Sequence, residues 1–317
     1  MASSSARSDT HQALLDDILA RRKFNEAMIS SNPTSAPAPA TAEVLPTDFL
    51  LGPHPSELKP KLSRIDFSKT ELYEYDGLYA TVIDDILSVA ECEKIVELAE
   101  ATTEPKGKWE RAMVNIGGGR QAMYEDTRKC GRIIWDTEEL ARRLWERVEP
   151  LVPELSKIEG KASVTGWGPV KWEEVWRCVG LNERLRLLKY VGGEYFKAHC
   201  DGMYEAPNKE RSYYTLHLYL NDTDHQADGE PLVGGATTFF AHNMERRLDV
   251  APKMGSILIF QQRGLLHAGD DLVSGMKLTL RTDIMYEKTD EVAKKVEPSK
   301  VVKRLPAWVK NRRGGTV

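Results

Sequence analysis

The sequence predicts a mainly β fold with supporting helices, in which short strands form a jelly roll or a related barrel. Two helical segments come first, over residues 88–102 and 136–148, and from Leu185 onward the pattern changes to short β-branched, aromatic and alternating runs. Gly, Asp and Pro separate these runs, as is typical of barrels and jelly rolls. Because strands follow helices instead of alternating with them, a doubly wound parallel sheet is disfavoured.

The composition is that of a folded protein. Of 317 residues, 41% are hydrophobic and 29% are charged, which excludes global disorder and fibrous repeats. The polar N-terminus lacks a secretory signal, and no apolar run is long enough for a membrane span. The four cysteines form no Cys-x-x-Cys pair, so we expect reduced thiols in a cytoplasmic or nuclear protein. The sequence leaves the oligomeric state open.

The composition also predicts four regions along the chain. Residues 1–47 are expected to be a flexible extension, with a short amphipathic helix at 11–28 and a linker rich in Pro, Ser and Ala from Ser30. Residues 48–180 form the lead-in with its supporting helices, and residues 181–288 form the β core. Residues 289–317 form a basic tail, because from Lys288 onward nine Lys or Arg face three Asp or Glu. The rest of the chain is acidic, which makes nucleic acid an unlikely partner.

Individual elements follow from local signals. Ser88 is a suitable N-cap with Glu91 three residues on, the pattern of a capping box. The second helix, from Asp136, continues to about Val148. Five strands are predicted in the core, over residues 185–191, 213–220, 237–240, 256–260 and 278–286.

Three residues of the core could bind a metal. His199-Cys200-Asp201 ends a strand pattern, and strand alternation places His199 and Asp201 on one side with Cys200 on the other. His267, 66 residues after Asp201, is the candidate third ligand. Two imidazoles and one carboxylate leave coordination positions open for oxygen chemistry, as in non-haem iron oxygenases.

The core resembles the prolyl 4-hydroxylase-type catalytic domain of Fe(II)/2-oxoglutarate-dependent oxygenases. The resemblance lies in five segments that occur in the family's order: residues 185–202, 215–221, 234–239, 252–260 and 267–277. It implies a double-stranded β-helix core, with Fe(II) bound by His199, Asp201 and His267. It further implies 2-oxoglutarate as cosubstrate and O2 as oxidant, with ascorbate as a candidate reductant.

The distal carboxylate of 2-oxoglutarate requires a cation inside the barrel, because an unpaired buried carboxylate is costly. Lys277 matches the family's position for this role. Arg281 lies four residues further on the same strand face and is the competing candidate. Either cation could instead pair with Asp283, which shares that face. The resemblance also places Tyr219 and Tyr190 in the cosubstrate pocket, although each could be a core aromatic residue.

These features predict an enzyme, a 2-oxoglutarate-dependent Fe(II) dioxygenase of hydroxylase type. Such an enzyme would hydroxylate an unactivated C–H bond and release succinate and CO2. Its substrate would be either a peptidyl side chain, such as proline, or a small molecule. The same metal ligands would also serve desaturation or cyclisation. The alternative function is a non-catalytic jelly-roll module that binds a ligand or partner.

Overall fold

The computed structural model of this chain describes residues 45–52, 54–55, 57–117, 120–226 and 229–293. The predicted helix at 11–28, the linker that follows it and the basic tail beyond Ala293 lie outside the described residues. The chain divides into a large unit, residues 39–112 and 126–317, and a small unit, residues 1–38 and 113–125. In its described part, the small unit consists of one antiparallel hairpin, β4–β5, whose bounds follow.

The strands, in chain order, are β1 (Lys61–Arg64), β2 (Ala80–Asp84), β3 (Glu110–Arg111), β4 (Val114–Gly117), β5 (Arg120–Ala122), β6 (Arg128–Lys129), β7 (Gly131–Asp136), β8 (Lys157–Glu159), β9 (Glu174–Leu181), β10 (Arg184–Val191), β11 (Tyr195–His199), β12 (Arg211–Tyr219), β13 (Val233–Gly234), β14 (Thr237–Phe240), β15 (Arg247–Val250), β16 (Ile257–Gln261), β17 (His267–Gly269), β18 (Leu272–Ser274) and β19 (Met276–Val292). The α-helices are α1 (Val89–Ala101), α2 (Glu138–Val148), α3 (Ala162–Thr165) and α4 (Trp167–Lys171). Single 3-10 turns occur at Phe67–Lys69, Tyr73–Tyr75, Glu149–Leu151 and Pro153–Leu155.

The large unit is built on two antiparallel sheets. The major sheet has the order β1-β2-β16-β12-β19-β10-β7-β3, with β9 paired to β19 and β8 to β9. The minor sheet has the order β15-β14-β17-β11-β6. If β10, β11, β12, β14, β15, β16, β17 and β19 are numbered one to eight, the sheets read 6-3-8-1 and 5-4-7-2. This alternation of successive strands between two sheets is a double-stranded β-helix, and it confirms the predicted mainly β, jelly-roll core.

The predicted strands all form, with differences at their ends. The last strand differs most, because β19 runs from Met276 to Val292 and pairs with both β12 and β9. The lead-in differs as well, because it supplies β2 and β7 to the major sheet in addition to helices. Both are short apolar runs that cover the edges of the catalytic strands, and such edges would otherwise expose unpaired backbone groups.

The two long helices begin at side-chain caps. Ser88 and Glu91 form the predicted capping box of α1. Helix α2 begins at Glu138, two residues later than predicted, because Asp136 belongs to β7 and the hydroxyl of Thr137 accepts a hydrogen bond from the backbone of Leu140. Within the described residues, no helix is long and apolar enough to cross a membrane.

The described interior contains three buried clusters, and strand alternation places neighbouring residues of β12 in two of them. Leu216 and Leu218 of β12 belong to a buried cluster that also contains apolar side chains of α1 and α2. Tyr219 belongs to a second cluster, with Phe239 of the minor sheet and Phe260 of the major sheet. The rings of Phe239 and Phe260 pack edge to face at 5.5 Å, so the two sheets meet there. The odd-numbered residues over 215–219 of β12 and 277–283 of β19 therefore face the space between the sheets.

Candidate active site

His199, Asp201 and His267 lie together between the sheets. Their ligand atoms all fall within 4.8 Å of one another, and among the described residues they are the group that could hold a metal ion. Strands β11 and β17 are paired so that His199 faces His267 directly. Asp201 follows the end of β11, with Oδ1 3.6 Å from Nε2 of His199 and Oδ2 3.8 Å from Nε2 of His267. The fold thus brings the three predicted ligands together.

Both histidines are oriented by their own backbone. Nδ1 of His199 lies 2.8 Å from the carbonyl oxygen of Lys197, and Nδ1 of His267 lies 3.1 Å from that of Leu265. A carbonyl oxygen only accepts, so each Nδ1 carries the proton and each Nε2 keeps a lone pair. Each lone pair points into the cluster, as a metal ligand requires. Cys200 is exposed and outside the cluster, as strand alternation predicts.

The carboxylate of Asp201 is held mainly through one oxygen. Oδ2 accepts a hydrogen bond from the hydroxyl of Thr215 at 2.6 Å and lies 3.1 Å from Nη2 of Arg281. Burial alone would raise the pKa of Asp201, but the charges of Arg281 and the two histidines hold it well below its ordinary value. Burial and the neighbouring His199 lower the pKa of His267 to about 4. At neutral pH the cluster therefore offers one anion and at least one neutral imidazole.

Three strands of the major sheet form a wall beside this cluster. Reading along β19, Lys277 lies opposite Tyr190 of β10, and Thr279 lies between Leu188 of β10 and Tyr219 of β12. Next, Arg281 lies between Arg186 and His217, and Asp283 lies opposite Thr215. With a rise of about 3.3 Å per residue, Lys277 and Arg281 are roughly 13 Å apart along the strand. Arg281 is at the metal end of the wall and Lys277 at the far end.

Lys277 is a buried cation without an ion pair among the described residues. Lys277 is only 2% exposed, and its Nζ lies 5.5 Å from the ring centroid of Tyr190 and 5.7 Å from that of Tyr219. Burial lowers the pKa of Lys277 to about 8. Asp270, whose charge partly opposes that shift, is itself paired with Arg247. A buried ammonium held only by two aromatic faces is suited to an incoming anion.

Two further polar atoms on this wall lack partners. Nε2 of His217 and Oγ1 of Thr279 are buried, and neither forms a hydrogen bond with any described residue. Burial, followed by the charges of Lys277 and Arg281, lowers the pKa of His217 well below its ordinary value, so the ring is neutral. His217 stacks on Tyr219 with ring centroids 5.2 Å apart. Buried polar atoms without partners are rare and often mark a ligand's place.

Gly235 provides room for the lysine. Its φ is +68°, and a Cβ added there would lie 2.9 Å from Leu272 and 3.3 Å from Cδ of Lys277. Any side chain at this position would press on the Lys277 stem, in a backbone conformation that disfavours L residues. The absence of a side chain at Gly235 therefore lets the lysine stem pass and reach the wall.

The two predicted pocket tyrosines occupy the lysine end. The hydroxyl of Tyr219 donates to Thr237 at 2.8 Å, across the space between the sheets. Burial raises the pKa of Tyr190, whose hydroxyl interacts with Cys130 and Arg128. Both rings lie near the Lys277 ammonium and both belong to buried clusters, so each is a core aromatic residue. Their role in the cosubstrate pocket stays a prediction.

Arg281, in contrast, already has carboxylate partners. Its Nη2 lies 3.1 Å from Asp201 and 3.2 Å from Asp283. Burial would lower its pKa, but these two carboxylates raise it above the ordinary value. His225 lies outside the site, where its exposed ring pairs with Asp222 at 2.7 Å.

Sequence reasoning missed Thr215, Thr279 and Gln262. Gln262 donates to Asp283 at 3.0 Å and so supports the Arg281 pair. Thr279 lies between Lys277 and Arg281, so the same alternation that joined those two residues also marks it. No local signal connects Thr215 or Gln262 with the site, because each contact crosses between distant strands.

The side chains present fit both groups that the resemblance implies. Two oriented Nε2 lone pairs and a carboxylate with one uncommitted oxygen suit Fe(II), which accepts nitrogen and oxygen ligands. Lys277, which has no ion pair among the described residues, and the two atoms without partners suit a dicarboxylate that reaches from the metal towards the lysine. Thus the wall could hold a metal at one end and an anion at the other.

One family sequence model and several solved structures are similar to parts of this chain. Residues 185–282 match the sequence model of a family described as the 2OG-Fe(II) oxygenase superfamily. No curated protein matches the chain. Similar solved structures include a viral collagen prolyl hydroxylase from Paramecium Bursaria Chlorella virus-1 in complex with 2OG, with 18% identity, TM-score 0.40, and coverage of 66% of this chain and 97% of that one.

Two further solved structures have similar sequence identities, coverages and TM-scores. A prolyl hydroxylase from Trichoplax adhaerens, in complex with a peptide of the hypoxia inducible factor, has 14% identity and TM-score 0.45, with 69% of this chain and 88% of that one covered. A Pseudomonas putida prolyl-4-hydroxylase has 15% identity and TM-score 0.42, with 69% and 95% covered. The sequence match includes His199, Asp201, His267 and the wall residues from Arg186 to Arg281, whereas Asp283 lies one residue beyond it. Over residues 185–282, the chain is therefore similar in sequence to the 2OG-Fe(II) oxygenase superfamily.

Proposed function

We propose that this protein is a non-haem iron(II), 2-oxoglutarate-dependent dioxygenase of the prolyl 4-hydroxylase type. It would convert a substrate C–H bond, O2 and 2-oxoglutarate into C–OH, succinate and CO2. The substrate would be a peptidyl side chain, such as proline, or a small molecule. The observation that carries the proposal is the placement, along one sheet face, of a His-Asp-His cluster and a buried lysine without an ion pair.

The residues divide the work by position. His199, Asp201 and His267 would hold the metal, and Lys277 would bind the distal carboxylate of 2-oxoglutarate. Once bound, Fe(II) and the cosubstrate supply the oxidising chemistry. Thr215 and Arg281 orient the Asp201 carboxylate, and the aromatic rings of Tyr190 and Tyr219 exclude water around the ammonium. A dry, charged pocket strengthens the attraction between lysine and carboxylate.

Thr279 and His217 complete the cosubstrate site in this proposal. The Thr279 hydroxyl can donate to the distal carboxylate, because it lies on the same face two residues from Lys277. The neutral His217 ring lies between the lysine and arginine ends and can donate or accept one hydrogen bond. Tyr219, already bonded to Thr237, would shape the pocket, and Arg281 would serve the metal end.

The experiment combines a spectrum with a product assay. Purified protein is loaded with Fe(II) without oxygen, 2-oxoglutarate is added, and the visible metal-to-ligand charge-transfer band is measured. Oxygen is then admitted with and without ascorbate, and succinate is quantified. We expect the band in wild type and its loss in Asp201→Ala. A folded, metal-loaded protein that gives neither band nor succinate would instead be the non-catalytic binding module.

An intracellular, reducing location, cytoplasmic or nuclear, is part of the proposal. It is supported by the four free thiols. Fractionation of cells that produce the tagged full-length chain would test it, and a secreted product would contradict it.

A further inference from the structure

Arg186 lies at the end of the wall away from Lys277. It is paired in register with Arg281, whose guanidinium contacts the metal-ligand candidate Asp201. Its own guanidinium reaches past Arg281 to Asp283, which lies two residues further from Lys277. The cosubstrate is assigned to the Lys277 side of the metal, so Arg186 faces the other side. That side is left for the molecule being oxidised.

Arg186 uses few of its hydrogen-bond donors. Within the described residues it makes one ion pair, a 3.3 Å contact between Nη1 and Oδ2 of Asp283. The same carboxylate also pairs with Arg281 at 3.2 Å and accepts from Gln262 at 3.0 Å. A guanidinium has five N–H donors. The Arg186 side chain is 20% exposed, so part of its surface is accessible to a dissolved molecule.

Arg186 and Arg281 share one carboxylate, that of Asp283. Burial lowers the pKa of Arg186. The charge of Asp283 opposes this effect, whereas the charge of Arg281 adds to it. Among the described residues, the carboxylates paired with these two arginines are Asp201 and Asp283, and a bound metal would take up the charge of Asp201. With Asp201 bound to the metal, a neutral substrate would leave two guanidinium groups to share the single carboxylate of Asp283. An uncompensated charge in a largely buried site is costly.

We propose that the primary substrate carries a carboxylate that Arg186 binds, on the side of the metal opposite 2-oxoglutarate. This inference rests on the proposed function, because it takes the Lys277 end as the cosubstrate site. A planar carboxylate matches the guanidinium fork with two parallel hydrogen bonds. Arg186 thereby selects an acidic substrate over its neutral amide.

The test uses a paired probe and a paramagnetic metal. The full chain is loaded with Mn(II) and saturated with 2-oxoglutarate, and the 19F relaxation rates of 4-fluorobenzoate and 4-fluorobenzamide are measured. A probe that binds beside the metal relaxes faster. We expect a severalfold enhancement for the benzoate, little for the benzamide, and loss of the benzoate effect in Arg186→Gln. Arg184→Gln is the matched control, since Arg184 lies two residues away on the same strand and pairs with the surface residue Asp136. That control should keep the enhancement.

Several results would overturn the inference. They are equal enhancement for acid and amide, no enhancement for the benzoate, or an enhancement that survives in Arg186→Gln, which would mean direct binding to the metal. An enhancement that falls as more 2-oxoglutarate is added would place the probe in the Lys277 pocket and would also overturn it. If Arg186→Gln does not fold, Arg186→Lys replaces it, and we expect benzoate to bind about tenfold more weakly because the fork is lost. Unchanged affinity in that variant would count against the inference.

The failure of this inference is distinguishable from failure of the proposed function. The Fe(II)–2-oxoglutarate absorption band is measured on the same wild-type preparation. A normal band without acid-specific relaxation overturns the Arg186 assignment alone. An absent band overturns the cosubstrate site on which the assignment rests.

Discussion

Arg281 and Asp201 form an ion pair, with Nη2 of the arginine 3.1 Å from Oδ2 of the aspartate. Thr215 donates to the same oxygen at 2.6 Å. The other oxygen, Oδ1, faces Nε2 of His199 at 3.6 Å. Arg281 itself is held by Asp283 at 3.2 Å. This connected set of side chains fixes the orientation of the one anionic ligand, so we assign Arg281 to the metal end of the pocket.

Arg281→Gln should therefore impair turnover more than cosubstrate binding. Without the guanidinium, Oδ2 of Asp201 is free to rotate towards the metal and occupy a position that the reaction needs. We expect kcat to fall by roughly 10- to 100-fold, as is common when a partner of a metal ligand is removed. The KM for 2-oxoglutarate should change by less than about threefold. Steady-state succinate formation measures both constants.

The control for Arg281→Gln is Arg177→Gln. Arg177 is exposed and pairs with Glu291 on the surface, so its loss should leave both constants unchanged. A large rise in the KM for 2-oxoglutarate in Arg281→Gln, with kcat preserved, would instead assign the distal carboxylate to Arg281.

Lys277→Met should have opposite effects on cosubstrate binding and stability. Loss of the ammonium removes a buried charge-assisted contact, so we expect the KM for 2-oxoglutarate to rise about 100-fold or more. The protein without cosubstrate should become more stable. A pKa lowered from 10.5 to about 8 corresponds to roughly 3 kcal/mol against the buried charge. Urea or thermal unfolding of metal-free protein measures the gain.

Lys189→Met serves as the control for Lys277→Met. Lys189 lies on the neighbouring strand β10, on the opposite face, with its ammonium over the ring of Trp109. Lys189→Met should leave the KM for 2-oxoglutarate unchanged, and it should not reproduce the gain in stability expected for Lys277→Met. If Lys277→Met destabilised the protein by several kcal/mol, the lysine would be part of a structural ion pair and not a cosubstrate site.

The same lysine predicts a pH dependence. The pKa of Lys277 is about 8 in the free pocket, so the ammonium is present below pH 8 and lost above it. Because kcat/KM reports groups of the free enzyme, kcat/KM for 2-oxoglutarate should be level below about pH 8 and fall above it, tenfold per pH unit. The unfolded lysine keeps its proton to higher pH, so the stability of the metal-free protein should rise between pH 8 and about 10.5.

Lys277→Arg tests whether this residue causes the decline. An arginine stays charged throughout the range, so the fall in kcat/KM above pH 8 should disappear even if its absolute value is lower. A decline of the same midpoint in the arginine variant would show that another group titrates.

Asp201→Ala and Cys200→Ala test which of two adjacent residues faces the metal. Asp201 is the anionic member of the cluster, whereas Cys200 is exposed and outside it. We expect Asp201→Ala to retain less than about one tenth of the wild-type Fe(II). Cys200→Ala should bind nearly one equivalent. Metal analysis after desalting gives the occupancy, and equal loss in both variants would contradict the facing of this segment.

The sequence by itself determined what depends on local spacing. The capping box of α1, the short strands of the core and the positions of Lys277 and Arg281 on one face follow from neighbours a few residues apart. The separation of His199 and Asp201 from Cys200 follows from strand alternation. The ordered segments then supplied the ligand set, because His267 is too distant along the chain for spacing alone to join it.

The tertiary structure decided which charges meet. Strand alternation places Arg281 and Lys277 on the same face of β19. Of the two, only Arg281 reaches the carboxylates of Asp201 and Asp283, whereas the Lys277 ammonium lies near two tyrosine rings. Thr215 and Arg186 became part of the pocket only through strand pairing. Electrostatic energy depends on distance through space and on burial, and neither quantity is written in local sequence. The sequence therefore identifies Lys277 and Arg281 as candidate cations, and the tertiary structure determines which of them forms ion pairs.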